Sequence, residues 1–254
     1  MIKLKNNEQL EIMKIAGRIT GEALYLAGEA VKEGVTTLQI DKIVRTHIEK
    51  CGAKPSFLGY GGFPASACVS VNDEVIHGIP SEKRFLKEGD IVKVDVGAYY
   101  KGFHGDAART FAVGKISEEA AKLIEVTKAC FYEGAAAAVI NNRIGDIGAA
   151  IEAKAVENGF SVVRRYVGHG IGHELHEEPE VPNYGNAGKG ARLYAGMTLA
   201  IEPMINVGTF NVRELADKWT VVTADGKLSA HYENTVAITE NGPLLLTDVE
   251  TVRS

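Results

Sequence analysis

Apolar residues recur with helical spacing from about Glu8 to Val31, at Leu10, Ile12, Ile15, Ile19, Ala23 and Leu26. This spacing predicts an amphipathic helix, with Asn6 or Asn7 as its N-cap and Gly34 as its stop. A second helix is predicted over Thr37–Cys51, opened by a Thr36–Gln39 capping box and closed by Gly52. From Cys68 to Val113 the pattern turns to alternating, β-rich runs, among them IVKVDVGAY and FHGDAARTFAV. Lys101-Gly102 lies between those two runs, which predicts a β-hairpin. Helical spacing then returns. Ser117 is expected to cap a helix reaching about Ile140, with Glu118 and Glu119 placed well against its dipole. Asp146 is expected to cap a shorter helix ending at Asn158-Gly159, and glycine-rich β-type sequence follows.

The order is long helix, short helix, β block, and then the same again, which suggests an internal duplication. Leu86-x-x-Gly89 precedes a run ending at Asp95, and Leu193-x-x-Gly196 precedes a run ending at Glu202. Each pair lies 107 residues apart (193 − 86, 196 − 89, 202 − 95). We therefore expect one domain over 1–254, with halves of roughly 1–114 and 115–254 related by a pseudo-twofold axis that gives Asp95 and Glu202 equivalent positions.

Composition narrows the function classes. Hydrophobic residues at 45% and charged residues at 24% are ordinary for a globular protein. A net charge of −5 gives no reason to expect sequence-specific nucleic-acid binding. Cys51, Cys68 and Cys130 form no CxxC pair and are expected as reduced thiols. The start, MIKLKNNEQLEIMK, has no signal-peptide core, and no apolar run reaches the roughly 20 residues of a membrane helix. The expected location is the cytoplasm.

The chemistry-bearing feature is acid in strands, where a buried carboxylate is costly unless paired or bound to a cation. Asp95 lies inside VKVDVG and Asp106 inside FHGDAARTF. Opposed across a hairpin they would repel, and a divalent ion would remove that penalty. The plainer alternative has one Asp in solvent and the other paired with Arg109 or Lys93. Glu202, ahead of Pro203, and Glu233, inside SAHYENTVAI, repeat the anomaly in the second half. His169 stands between glycines in YVGHGIG, an arrangement that lets backbone approach closely and leaves the imidazole accessible. That loop lacks the lysine and spacing of a P-loop, and His173-Glu-Leu-His176 lacks HExxH spacing. Four carboxylates balance two divalent ions, and such ions lower the pKa of water, so the expected chemistry is metal-assisted hydrolysis.

Taken together, GYGGFPASACVSVNDEVIHGIP, GDIVKVDVGAYYKGFHGDAARTF, YVGHGIGHELHEEPEVPNYG, MTLAIEP and SAHYENTVAIT resemble the pita-bread metallopeptidases, and among them the type I methionine aminopeptidases. The resemblance implies an α+β pita-bread fold, with antiparallel sheet and helices on its outer face. It implies two divalent ions (Co, Mn, Fe, Zn or Ni), with Asp106 and Glu233 bridging, Asp95 completing one site, and His169 with Glu202 the other. Glu202 would also shuttle the proton, while His77 and His176 would contact the substrate and stabilise the tetrahedral intermediate. Without the resemblance, His77 reads equally well as a turn residue before Pro80. The methionine pocket would include Tyr60, Phe63, Cys68, Leu175 and Trp219, with Phe63 and Leu175 departing from the Tyr and Phe common in relatives. A monovalent cation, Na or K, would bind backbone carbonyls at Asn72, Glu74 and Ser229. The expected form is minimal and bacterial-type, without a zinc-finger extension or a helical insertion. It is expected to be monomeric, to act on peptides and nascent chains, and to dock transiently on the ribosome. The rivals are a proline-specific peptidase of the same fold, a catalytically inactive peptide-binding relative, and a di-iron carboxylate protein, which would need Glu-x-x-His on helices.

Overall fold

The computed structural model describes residues 1–248, so the last part of the predicted second half lies outside the described residues. The first half comprises α1 (Asn7–Ala30), α2 (Thr37–Lys50), β1 (Lys54–Pro55), β2 (Ala67–Val71), β3 (Glu74–Ile76), β4 (Ile91–Tyr100) and β5 (Phe103–Ala112). The second begins with α3 (Glu118–Ala137), α4 (Ile144–Glu157), β6 (Ser161–Val162), β7 (Gly168–Gly170) and β8 (Glu177–Val181). It continues with β9 (Thr198–Ile201), β10 (Met204–Asn206), β11 (Val212–Glu214), β12 (Val221–Thr223), β13 (Ser229–His231), β14 (Asn234–Thr239) and β15 (Gly242–Leu245).

Both first-half helices open as the sequence predicts. Asn6 and Thr36 accept from the backbone of Gln9 and Gln39, whose side chains reach back to the cap amides. Ser117 caps α3 through Ala120 N, but α3 stops at Ala137, short of Ile140. Asp146 is not the cap of α4. The helix starts at Ile144 with Arg143 at the cap, and Asp146 Oδ2 accepts from Arg143 N at 2.7 Å from the third helical position. The predicted stripe on α1 holds at Ile19 and Ala23, which are buried, but is displaced at Ile15 and Leu26, which are exposed, while Met13, Ala16, Gly17, Thr20, Leu24 and Ala27 are buried. Small residues face the sheet because α1 lies so close to β5 that a Cβ on Gly105 would stand 2.9 Å from Gly17 N.

The predicted hairpin is β4–β5, paired from Ile91–Ala112 to Tyr100–Phe103. Around it run β1 and β2, and α1 and α2 cover the sheet through a core that includes Ile19, Leu24, Val44, Ile48, Val92 and Val94. In the second half β15-β14-β9-β7-β8 form one antiparallel sheet, covered by α3 and α4 through Phe131, Ile147, Ile151, Leu199 and Ile201. The repeat reaches beyond the sequence match. Isolated bridges join Thr36 to Phe85 and Arg143 to Arg192, 107 residues on at both ends (143 − 36, 192 − 85). Gly89 and Gly196 share the left-handed conformation at φ +92° and +87°, which only glycine adopts without strain. The halves meet where Glu233 N donates to the Ala108 carbonyl at 2.9 Å and Asp106 N donates to Thr235 Oγ1 at 2.9 Å.

Candidate metal centre

At that seam the acidic residues converge. Asp95 faces Ala108 and Asp106 faces Gly97 across the β4–β5 ladder. The two carboxylates therefore lie diagonally on one face of the hairpin, rather than directly opposed as the sequence suggests. Glu202 follows β9 immediately, and Glu233 sits in the break between β13 and β14, so neither lies inside a regular strand. His169 is the middle residue of β7, paired with Ala200. Its flanking glycines are required by neighbouring carbonyls: a Cβ at Gly168 would come within 2.3 Å of Ala200 O, and one at Gly170 within 2.3 Å of Glu178 O. The imidazole is buried rather than openly accessible. Its Nδ1–H donates to Gly170 O at 2.9 Å, leaving the Nε2 lone pair 3.6 Å from Glu202 Oε1 and 3.9 Å from Asp106 Oδ2.

Neither cation that might have neutralised the aspartates does so. Arg109 donates to the carbonyls of Ala108 and Glu233 and to Asn234 Oδ1, and it stacks 3.8 Å over the Tyr232 ring. Lys93 donates to the Asn72 carbonyl. All four carboxyls are consequently pushed up. Burial, then the Glu202 charge against His231 acting in the opposite sense, brings Asp95 to about 7, and burial brings Glu202 to about 8. Burial followed by mutual repulsion pushes Asp106 and Glu233 well above the ordinary carboxylate range. Asp95 Oδ1 and Asp106 Oδ1 are buried without a hydrogen-bond partner. Burial lowers His169 to about 3, so its imidazole is neutral. Oxygen donors at this density, beside a neutral imidazole, fit divalent cations. Asp106, His169 and Glu233 offer ligand atoms within 4.8 Å of one another, and so do Glu202, His231 and Glu233.

Above this floor opens a cavity of about 170 Å³. Tyr60, Phe63, Cys68, Leu175 and Trp219 line it with His77, His176, Asp95, Asp106, His169, Glu202 and Glu233, and Phe57 joins them. Cys68 pairs with Asp95 across β2–β4, and burial, then the Asp95 charge, keeps its thiol protonated and apolar in character. Trp219 packs edge-on against Phe63 at 5.1 Å, on a loop fixed by Asp217, which accepts from Trp219 N and Thr220 N. His77 is held at φ +60°, edge-on to Tyr166 and Trp219. His176 lies at the rim, its Nδ1 2.7 Å from the Tyr60 hydroxyl and its ring 4.2 Å from that of His169. Asn72, Glu74 and Ser229 lie outside the cavity lining. The Asn72 carbonyl accepts from Ser229 N as well as from Lys93.

Phe57 and His231 are the residues that the sequence did not single out. Phe57 looks like any core aromatic, and a lone histidine in an apolar strand signals nothing until its neighbours are known.

An α+β fold of two related halves, with a cation-suited carboxylate cluster under an apolar cavity at their seam, defines a metal-dependent hydrolase of pita-bread architecture. The chain belongs to metallopeptidase family M24, whose pattern matches residues 11–240. It is 58% identical to a methionine aminopeptidase of Clostridium acetobutylicum over 247 residues, 97% of this chain and 99% of that protein. The crystal structure of a methionine aminopeptidase from Thermotoga maritima superimposes with a TM-score of 0.96 at 44% identity, covering 98% of this chain and all of the other. A prolidase from Pyrococcus furiosus superimposes with a TM-score of 0.79 at 26% identity, covering 96% of this chain and 65% of the prolidase.

Proposed function

We propose that this metallopeptidase hydrolyses the first peptide bond of polypeptides that begin with methionine and carry a small, uncharged second residue. The observation that carries the reading is the position of the carboxylate cluster at the foot of an apolar cavity of about 170 Å³. A cavity of roughly 150 Å³ takes up a benzene-sized group, so this one suits a single unbranched thioether side chain. The relatives named as methionine aminopeptidases support the same substrate.

In this reading Asp106 and Glu233 would be shared between two divalent ions, Asp95 would help to hold one of them, and His169 with Glu202 would help to hold the other. Those ions would supply Lewis acidity and activate water for attack at neutral pH. The donor set admits Co, Mn, Fe, Zn or Ni. Glu202, with its carboxyl pushed up to about 8, is suited to take a proton during attack and return it to the leaving amine. With the Tyr60 hydroxyl donating to its Nδ1, His176 presents Nε2–H to the scissile carbonyl. His77, which lines the same cavity, would also contact the substrate. Phe63, Cys68, Leu175 and Trp219 exclude water around the methionine side chain. Substrates reach the site as free peptides or as nascent chains at the ribosome. Among the described residues no helix is long and apolar enough to cross a membrane.

The test is release of free methionine from Met-Ala-Ser by protein loaded with Mn, Fe or Co, with Xaa-Pro peptides as the comparison. Preferential cleavage of Xaa-Pro would replace this reading with a proline-specific one. Glu202→Ala should abolish turnover and leave the circular dichroism spectrum unchanged, and activity retained by that variant would remove Glu202 from its role.

A further inference from the structure

His231 closes β13, two residues ahead of Glu233, and its ring is buried with neither nitrogen in a hydrogen bond. Buried polar atoms nearly always find a partner, and those left without one mark strain or a missing ligand. Strain is a poor explanation here, because the backbone is well held. His231 pairs with Met204 across β10–β13, its N–H donates to Thr110 Oγ1 at 2.9 Å, and its carbonyl accepts from the same hydroxyl at 2.8 Å.

Resting on the metal reading above, we propose that His231 is a second imidazole ligand of the centre, binding through Nε2 the ion held by Glu202 and Glu233. Its Nε2 lies 3.5 Å from Glu202 Oε2 and 3.9 Å from Glu233 Oε2. His169 stands in the same relation to its own carboxylates, at 3.6 Å from Glu202 Oε1 and 3.9 Å from Asp106 Oδ2. Glu202 therefore has one imidazole beside each of its oxygens. Two donors bound to one ion at about 2.1 Å stand about 3.4 Å apart at a tetrahedral angle and farther apart at wider ones, which matches the observed spacing.

Two nitrogen donors make the site softer than one. The centre should therefore favour Co, Ni and Zn over Mn more strongly than a set of four carboxylates with one imidazole does. The rival arrangement has Nε2–H donating to Glu202, which would position that carboxylate without touching the metal.

Proton NMR of the full chain loaded with Co(II) in water separates the two, because each ligating imidazole contributes a hyperfine-shifted, exchangeable N–H signal. Two such signals are expected in the wild type. In His231→Gln one should vanish and the other persist, and the preference for Co over Mn in competition binding should fall by about tenfold. A single signal in the wild type, or two that survive in His231→Gln, would overturn the assignment and leave the metal reading intact. The wild-type count decides the matter even if the variant fails to fold. Failure to take up cobalt at all would overturn both readings.

Discussion

Lys93 Nζ donates to the main-chain carbonyl of Asn72 across 2.7 Å, inside a side-chain environment that leaves Lys93 1% exposed. Burial drives its pKa down, while the nearby Glu74 carboxylate works against that shift. Asn72 is one of the three positions at which family resemblance places a monovalent cation, and here a lysine ammonium already serves its carbonyl. The protein should therefore keep its stability and turnover when Na and K are replaced by choline. Lys93→Met, which leaves the Asn72 carbonyl with only the longer bond from Ser229 N, should cost about 1–3 kcal/mol and create a dependence of Tm on added K. Loss of activity by the wild type in choline chloride would refute this account of Lys93.

The carboxylate cluster predicts a change of sign. Asp106 is buried, its Oδ1 has no hydrogen-bond partner, and burial followed by the Asp95 charge raises its pKa. Without metal, Asp106→Asn removes a carboxyl that burial and its neighbours disfavour in the charged form, and should raise Tm by about 2–4 °C per kcal/mol gained. With metal bound, the same change would delete a proposed ligand, so Tm should fall and turnover should disappear. Calorimetry in EDTA and in Mn separates the two, and a lower Tm in both conditions would contradict the repulsion argument.

The same shifts set the pH dependence of the metal-free protein. Asp95, at about 7, and Glu202, at about 8, bind protons in the folded state more tightly than in the unfolded chain. Through these two carboxyls stability should rise as pH falls from about 8 to about 6.5, below which the buried His77, His169 and His231, with folded pKa values lowered to about 4, 3 and 4, work against the rise. Metal binding should flatten this slope, because the ions take the place of the protons. Urea unfolding between about pH 8 and 6.5, with and without EDTA, measures both slopes. A metal-free protein that loses stability over that interval would show that these carboxyls are not the dominant titrating groups.

Much of this site is legible in the sequence because buried acid in an apolar strand needs a reason. Asp95 and Glu202 stand out further because they end segments 107 residues apart. Other features depend on distances that sequence does not carry. The α1 stripe is displaced because Gly17 must pass Gly105, a close approach that favours small residues over Ile15 and Leu26. Asp146 reads as a cap from its residue type, but it is the third helical residue, occupying in the second half the position of Gln39 in the first (146 − 39 = 107). Lys93 and Arg109 read as partners for aspartate, and only the folded backbone shows that they serve carbonyls instead.

Glycine at position 170 is predicted to be indispensable for geometric reasons. A Cβ there would lie 2.3 Å from Glu178 O, in the strand that holds β7 in place, and backbone cannot yield as a side chain tip can. Gly170→Ala should destabilise by about 1–3 kcal/mol and displace His169, lowering kcat as well as metal affinity. Gly188→Ala is the control, since nothing lies within 4 Å of the added methyl, and its strain at φ +72° is confined to an exposed loop. Equal metal affinity in Gly170→Ala and the wild type would show that β7 tolerates the shift.

The final prediction has the opposite pH sign and concerns the loop bearing Leu175 and His176. Lys5 Nζ lies 2.6 Å from Glu177 Oε2, with both side chains almost fully buried, and Glu177 Oε1 accepts from His173 N at 2.9 Å. Burial alone would raise the Glu177 pKa, but the Lys5 hydrogen bond and charge outweigh it and hold the carboxyl below its usual range. A depressed folded pKa gives stability that is complete above the unfolded value, near 4.3, and is lost as pH falls through the folded one. Glu177→Gln should thus cost about 3 kcal/mol at neutral pH and weaken the loss of stability below about pH 4.5. It should also raise KM, because the loop carrying His176 loses its tie to Lys5. Gly172→Ala should reproduce part of this effect, since its Cβ would stand 2.3 Å from Lys5 Cε and push the lysine away. An unchanged acid limb in Glu177→Gln, measured by urea unfolding in the metal-loaded protein, would assign that limb to other carboxylates.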